Sequence, residues 1–127
     1  MENTASILAL VFLAITFIQS GYDKLFYWKD NVGWLQGHFA NTFLKNQVPM
    51  ALGTILILEL ISGILAVIGA LFIILDKGTH FGYYAGVFSA ITLLFLLFGQ
   101  RLARDYDGAR TIVIYFIPTL LLVYWLN

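Results

Sequence analysis

Four apolar runs, each close to the length of a bilayer crossing, take up most of this 127-residue chain. They are Thr4–Tyr22, Val48–Leu75, Phe81–Leu102 and Gly108–Leu126. At about 1.5 Å of rise per residue, a helix needs about 20 apolar residues to cross the hydrocarbon. No water is present there to satisfy backbone N–H and C=O groups, so runs of this kind must form helices. The expected fold is therefore an all-α membrane protein: one domain over residues 1–127, built as a four-transmembrane-helix bundle. Composition agrees. The chain is 61% hydrophobic and 11% charged, whereas a water-facing domain carries charge at about a quarter of its positions.

The first run is read as a span rather than a signal peptide. Its head, Met1-Glu2-Asn3-Thr4, has no positive charge, and no small-x-small cleavage site follows it. Pro49 suits the first turn of the second helix, where its missing N–H is not needed. Asp76 to His80 reads as a tight polar turn, and Pro118 is expected to kink the fourth helix. Leu25–Gln47 is the one long connection. Within it Val32, Leu35, Phe39 and Phe43 recur at helical spacing, with His38, Asn41 and Lys45 on another side. Two readings stand: a short amphipathic helix in the headgroup region, or an irregular loop with scattered aromatics.

Aromatic residues fall at both boundaries, as amphipathic rings should. Tyr22, Tyr27, Trp28, Trp34 and Tyr106 mark one side; Tyr83, Tyr84, Tyr124 and Trp125 mark the other. Lys24, Lys29, Lys45, Arg101, Arg104 and Arg110 lie in the first and third loops, and the second loop holds only Lys77. The positive-inside rule then predicts cytoplasmic first and third loops, with both termini outside.

Several chemistries are excluded. Zero net charge gives no electrostatic footprint for nucleic acid. The absence of cysteine removes disulfides, thiolate metal sites and thiol redox steps. His38 and His80 fall outside the apolar runs, so they cannot supply paired axial ligation of a haem within the bilayer. A metal at Asp105 and Asp107 is not expected, because calcium wants more oxygens than they offer. No nucleophile–base pair, phosphate loop or zinc spacing appears, so no catalytic residue is assigned and no cofactor is evident.

Lipid tails are as apolar as leucine, so small residues must let the helices approach. Gly82, Gly86 and Ala90 form one stripe; Gly63, Ala66 and Ala70 share a face with Glu59. Such stripes serve either packing within the chain or a homodimer face. Glu59 is the one ionisable residue deep within a span, about 15 Å from Pro49 along the helix. An acidic group there is costly unless protonated, paired or hydrated, which makes it a candidate ligand or proton site. The bland alternative is a protonated side chain acting as glue across the bundle. Gln19 and Tyr115 approach from the same side and join it as candidates. Lys24, Arg101, Arg104, Asp105 and Asp107, together with Gln100, form a polar cluster at the membrane boundary. They read either as the mouth of a cleft toward Glu59, or as basic side chains snorkelling to headgroups. Asp107 suits an N-cap for the fourth helix, with Asp105 favouring its positive end.

At these residues the chain resembles the DoxX family of small four-helix prokaryotic membrane proteins. The likeness rests on Gly21-Tyr22-Asp23-Lys24 closing the first span and Pro49 opening the second. Glu59 followed by Gly63 and Gly69, and Arg104-Asp105-Tyr106-Asp107-Gly108-Ala109 before the fourth, complete it. The resemblance implies a multi-pass protein of the prokaryotic inner membrane, with lipid bilayer around it and a membrane or peripheral redox protein as partner. It implies an accessory or anchoring subunit of a quinone-linked assembly, with quinone as the cofactor contacted and no catalysis of its own. The competing expectations are a small proton-coupled transporter using Glu59, and a purely structural membrane protein.

Overall fold

The structure, a computed structural model, describes residues 3–38, 40, 47–102 and 105–127. These form five helices: α1 (Thr4–Phe26), α2 (Trp28–His38), α3 (Val48–Ile74), α4 (His80–Leu102) and α5 (Tyr106–Leu126). The four long ones, α1, α3, α4 and α5, are long and apolar enough to cross a membrane. Their ends match the expected spans closely, with one consequential difference. Helix α1 runs on past Tyr22 to Phe26, so Lys24 is a helical residue and not part of a loop.

The bundle is a ring in which α1 packs on α3, α3 on α4, α4 on α5, and α5 more sparsely back on α1. Its interior holds Leu10, Leu13, Phe17, Leu93 and Leu122, all nearly inaccessible. Outward faces carry Leu8, Ile15, Ile57, Ile64, Phe95 and Ile117, the surface a lipid-facing helix requires. Glycines set the approach of each pair. A Cβ at Gly63 would lie 2.7 Å from Cγ1 of Ile18 on α1, and one at Gly86 would lie 2.9 Å from Val123 on α5. At Gly69 it would lie 2.6 Å from Cα of Gly82, so α3 and α4 touch backbone to backbone. The small residues expected on α4 (Gly82 and Gly86) and on α3 (Gly63) meet neighbouring helices of the same chain, while Ala90 is half-buried.

The connections are equally local. Helix α3 ends in a left-handed Asp76 (φ 57), with Lys77 N–H donating to Phe72 C=O at 2.7 Å and Asp76 N–H to Ile73 C=O at 3.1 Å. This paired closure satisfies two of the last carbonyls, and Gly78 (φ 109) completes the reversal into α4. Helix α2 follows α1 after a break at Tyr27 and packs on α1 and α3. The Asn31 amide braces that joint, donating to the carbonyls of Tyr27 at 2.9 Å and Asp23 at 3.3 Å. Of the two readings of the long connection, a helix is what forms over Trp28–His38, with Val32 and Leu35 half-buried. Phe39, Asn41, Phe43 and Lys45 lie outside the described residues, as does the His38 side chain. Helix α5 continues through Pro118 without interruption.

Candidate functional site

Burial of an ionisable residue starts the site. Glu59 is 1% exposed, on the face of α3 that meets α1. Gly21 on α1 lies against Leu60 and Leu56, bringing the two helices close one turn before Lys24. Lys24 follows Gly21 by three residues, hence on the same face, and its stem turns inward rather than out to headgroups. Its Nζ lies 2.8 Å from Oε1 of Glu59 and 2.7 Å from Oγ of Ser20. The bond to Ser20 is a directed hydrogen bond. The contact with Glu59 is an ion contact off the hydrogen-bonding direction, and among the described residues Oε1 has no aligned donor. A carboxylate with an ammonium beside it is far less costly in hydrocarbon than one alone.

Register also places Glu59 relative to the neighbouring helices. Antiparallel pairing of Phe17 and Ile18 with Gly63, and of Trp28 with Gly53, shows that α3 begins beside α2, beyond the end of α1. Glu59 lies about 9 Å along α3 from Gly53.

The other candidates separate. Gln19 is exposed on the outer face of α1. Tyr115 packs edge-on against Phe12, with centroids 5.6 Å apart, on the seam between α1 and α5. Helix α5 lies diagonally across the ring from α3, so Tyr115 does not join Glu59. In the boundary cluster the two aspartates exchange the roles expected of them. Asp105 is the N-cap of α5, its Oδ1 accepting from Gly108 N–H at 3.1 Å; Asp107 is exposed in the first turn and pairs with Arg110. Arg101 is exposed and lies over the Tyr106 ring at 5.3 Å. Arg104 lies outside the described residues.

What the remaining boundary residues do form is a cavity of about 480 Å³ between α2, α3 and the C-terminal end of α4. Its walls are mainly apolar, with Trp34, Leu35, Leu52, Ile55 and Phe95 among them. Polar atoms come from Lys24, Asn31, Thr54, Gln100 and Asp105. Lys24 belongs to both the ion pair and the wall, so the cavity reaches the buried charge from the boundary side. This volume and this mixture of wall chemistry suit one small apolar molecule with a polar end. Among the described residues no group of His, Asp and Glu could hold a metal ion.

Above the ion pair, Ser62 and Thr92 share a hydrogen bond of 3.1 Å across α3 and α4, and Thr92 also donates to Phe88 C=O. Sequence reasoning did not single out Ser62, Thr92, Asn31 or Thr54. Lys24 was singled out as a boundary residue but not as the partner of Glu59; the signal for that was available, since Ala14, Phe17, Gly21 and Lys24 continue one stripe at helical spacing. No family model, curated protein or solved structure matches this chain.

Proposed function

We propose that this chain is a non-catalytic membrane subunit that holds a lipophilic molecule of the quinone class at the bilayer boundary and serves a redox partner. The observation that carries the reading is the apolar cavity with Lys24 in its wall. A quinone ring is flat and apolar with carbonyl acceptors at its edge, and the Lys24 ammonium supplies N–H donors of the matching kind. The resemblance to the DoxX family supports the redox half of the reading. In this reading the membrane is the prokaryotic inner membrane and the first and third loops are cytoplasmic, so the cavity opens to the cytoplasmic leaflet.

Purification in mild detergent, followed by mass spectrometry of bound lipids and proteins, tests it. The expected result is a stoichiometric quinone-class lipid and an electron-transfer protein. Ala51→Trp, which projects a ring from the cavity wall, should lose the lipid and keep the protein. Recovery of neither overturns the reading.

Burial of Glu59 favours a second reading, proton-coupled transport. It requires substrate flux in liposomes driven by a pH gradient and lost in Glu59→Gln. The ion pair weighs against it, because a carrier's carboxylate must give up its counter-ion in every cycle.

A further inference from the structure

We infer that Glu59 is a positioning residue for the cavity: it holds the Lys24 ammonium at the wall, where an uncommitted N–H receives a carbonyl oxygen of the bound lipophile. The inference rests on the cavity being a lipophile site, as proposed above. It adds what anchors the polar end and what keeps that anchor in place.

A lysine in this position has two places to go. Lys24 lies two residues before the end of α1, and a long basic side chain near a helix end ordinarily carries its charge out to the headgroups. Here it takes the opposite course. Nζ donates to Oγ of Ser20 at 2.7 Å, and Ser20 lies one turn earlier on α1, deeper in the bundle. Its other neighbour is Oε1 of Glu59 at 2.8 Å. Cα–Cβ bonds tilt toward a helix N-terminus, which at this end of α1 directs the stem inward. Tilt alone does not keep a charge away from water; an opposite charge does. Without the Glu59 carboxylate, only the Ser20 hydroxyl stands against the pull of the headgroups.

The geometry also leaves donors over. An ammonium carries three N–H groups. One is directed at Ser20, and the contact with Glu59 lies off the hydrogen-bonding direction; no other partner is met among the described residues. The charge is therefore matched while hydrogen-bonding capacity remains, on a side chain that lines the cavity and is 18% exposed. Two other donors of the wall are committed elsewhere. The Asn31 amide donates to the carbonyls of Tyr27 and Asp23, and the Thr54 hydroxyl to the carbonyl of Met50. A carbonyl entering the cavity meets a charged donor at Lys24, and such a bond is about twice as strong as one between neutral groups.

Binding of a decyl-substituted benzoquinone to the purified full chain in mild detergent, read by native mass spectrometry, tests this. Glu59→Leu keeps Lys24 and removes what holds it. Binding should weaken about tenfold, the loss of one charge-assisted hydrogen bond. The Lys24 amine should then react several-fold faster with a water-soluble acylating reagent, read by peptide mass spectrometry. Glu59→Asp keeps the charge and should restore most of the binding together with slow acylation. Lys24→Met combined with Glu59→Leu removes both charges, so the bundle stays folded, and its binding should be as weak as that of Glu59→Leu. A pair that served only as glue between α1 and α3 would leave this double variant binding as the unaltered chain does.

Unchanged binding in Glu59→Leu or in the double variant, with Ala51→Trp still losing the quinone, overturns the inference and leaves the lipophile site standing. Weaker binding in Glu59→Leu without faster acylation also overturns it, since Glu59 then acts other than through Lys24. If the unaltered chain binds no quinone, or if Ala51→Trp leaves binding unchanged, the lipophile site falls and the inference with it. If Glu59→Leu does not fold, the double variant decides on binding, and Glu59→Gln takes its place in the acylation test.

Discussion

The two ends of the bundle are built on opposite principles. At the end where α3 turns into α4, Gly69 meets the backbone of Gly82, and Gly82 in turn receives Leu126, Leu10 and Ile73. At the other end Trp28 lies against Gly53 at ordinary contact distance, α2 packs on α1 and α3, and a cavity remains between α2, α3 and α4. Hydrocarbon does not drive helices together, so the placement of small residues decides where backbones close. Where glycines face one another the bundle is shut. Where aromatic and branched side chains line the gap, it stands open, and the polar residues collect there.

This contrast predicts a graded response to substitution. The largest effect belongs to the shut end. Gly69→Val places a branched side chain against backbone that cannot move aside, and should cost about 4 kcal/mol or abolish folding, read by denaturant unfolding in detergent. If Gly69→Val unfolded like the unaltered chain, close backbone approach would not be what shuts this end.

Next comes the charged floor of the open end. Lys24→Met leaves Glu59 buried without its counter-ion and should cost about 3 kcal/mol, while Lys24→Met combined with Glu59→Leu should return to within about 1 kcal/mol of the original. A double variant as unstable as the single one would remove the ion pair from the account. Asp105→Ala takes the cap from α5 and should cost about 1 kcal/mol by the same unfolding measurement, with amide exchange rising in the first turn of α5. The smallest effect is expected at Gly53→Ala, within about 0.5 kcal/mol, because the nearest atom to a new Cβ is Trp28 Cη2 at 3.7 Å. A large loss there would mean that the open end is as tightly built as the shut one.

The ends differ also in how far they could be read from the amino acids. Membrane crossings are legible because apolarity is a property of each run by itself, and the expected spans needed shifts of only a few residues. Of the shut end's glycines, Gly82 was visible in a stripe and Gly69 was not, and which neighbour either would face was not legible. The open end depends on register. Glu59 stood out alone, but its partner lies on another helix, and pairing requires α1 to continue beyond Tyr22 and to rotate Gly21 toward α3. Gln19 was matched to Glu59 by depth, and depth says nothing about rotation; the stripe through Phe17, Gly21 and Lys24 faces α3, so Gln19 faces away. Tyr115 failed on topology, since only the order of helices around the ring sets α5 opposite α3. The two aspartates at the start of α5 lie two residues apart, within the uncertainty of a helix start.

The contact between Lys24 and Glu59 also bears on how the chain is made. Synthesis delivers α1 to the membrane before α3, with Lys24 near its trailing edge and close to water. The acid arrives later, on a segment that would by itself leave a lone carboxylate in hydrocarbon, at a cost of several kcal/mol. With α1 already seated, the newcomer finds a cation waiting at its own level. The first crossing thereby acts as an internal insertion aid for the second, and removing it should leave α3 poorly integrated even though α3 is more apolar than any other segment of the chain.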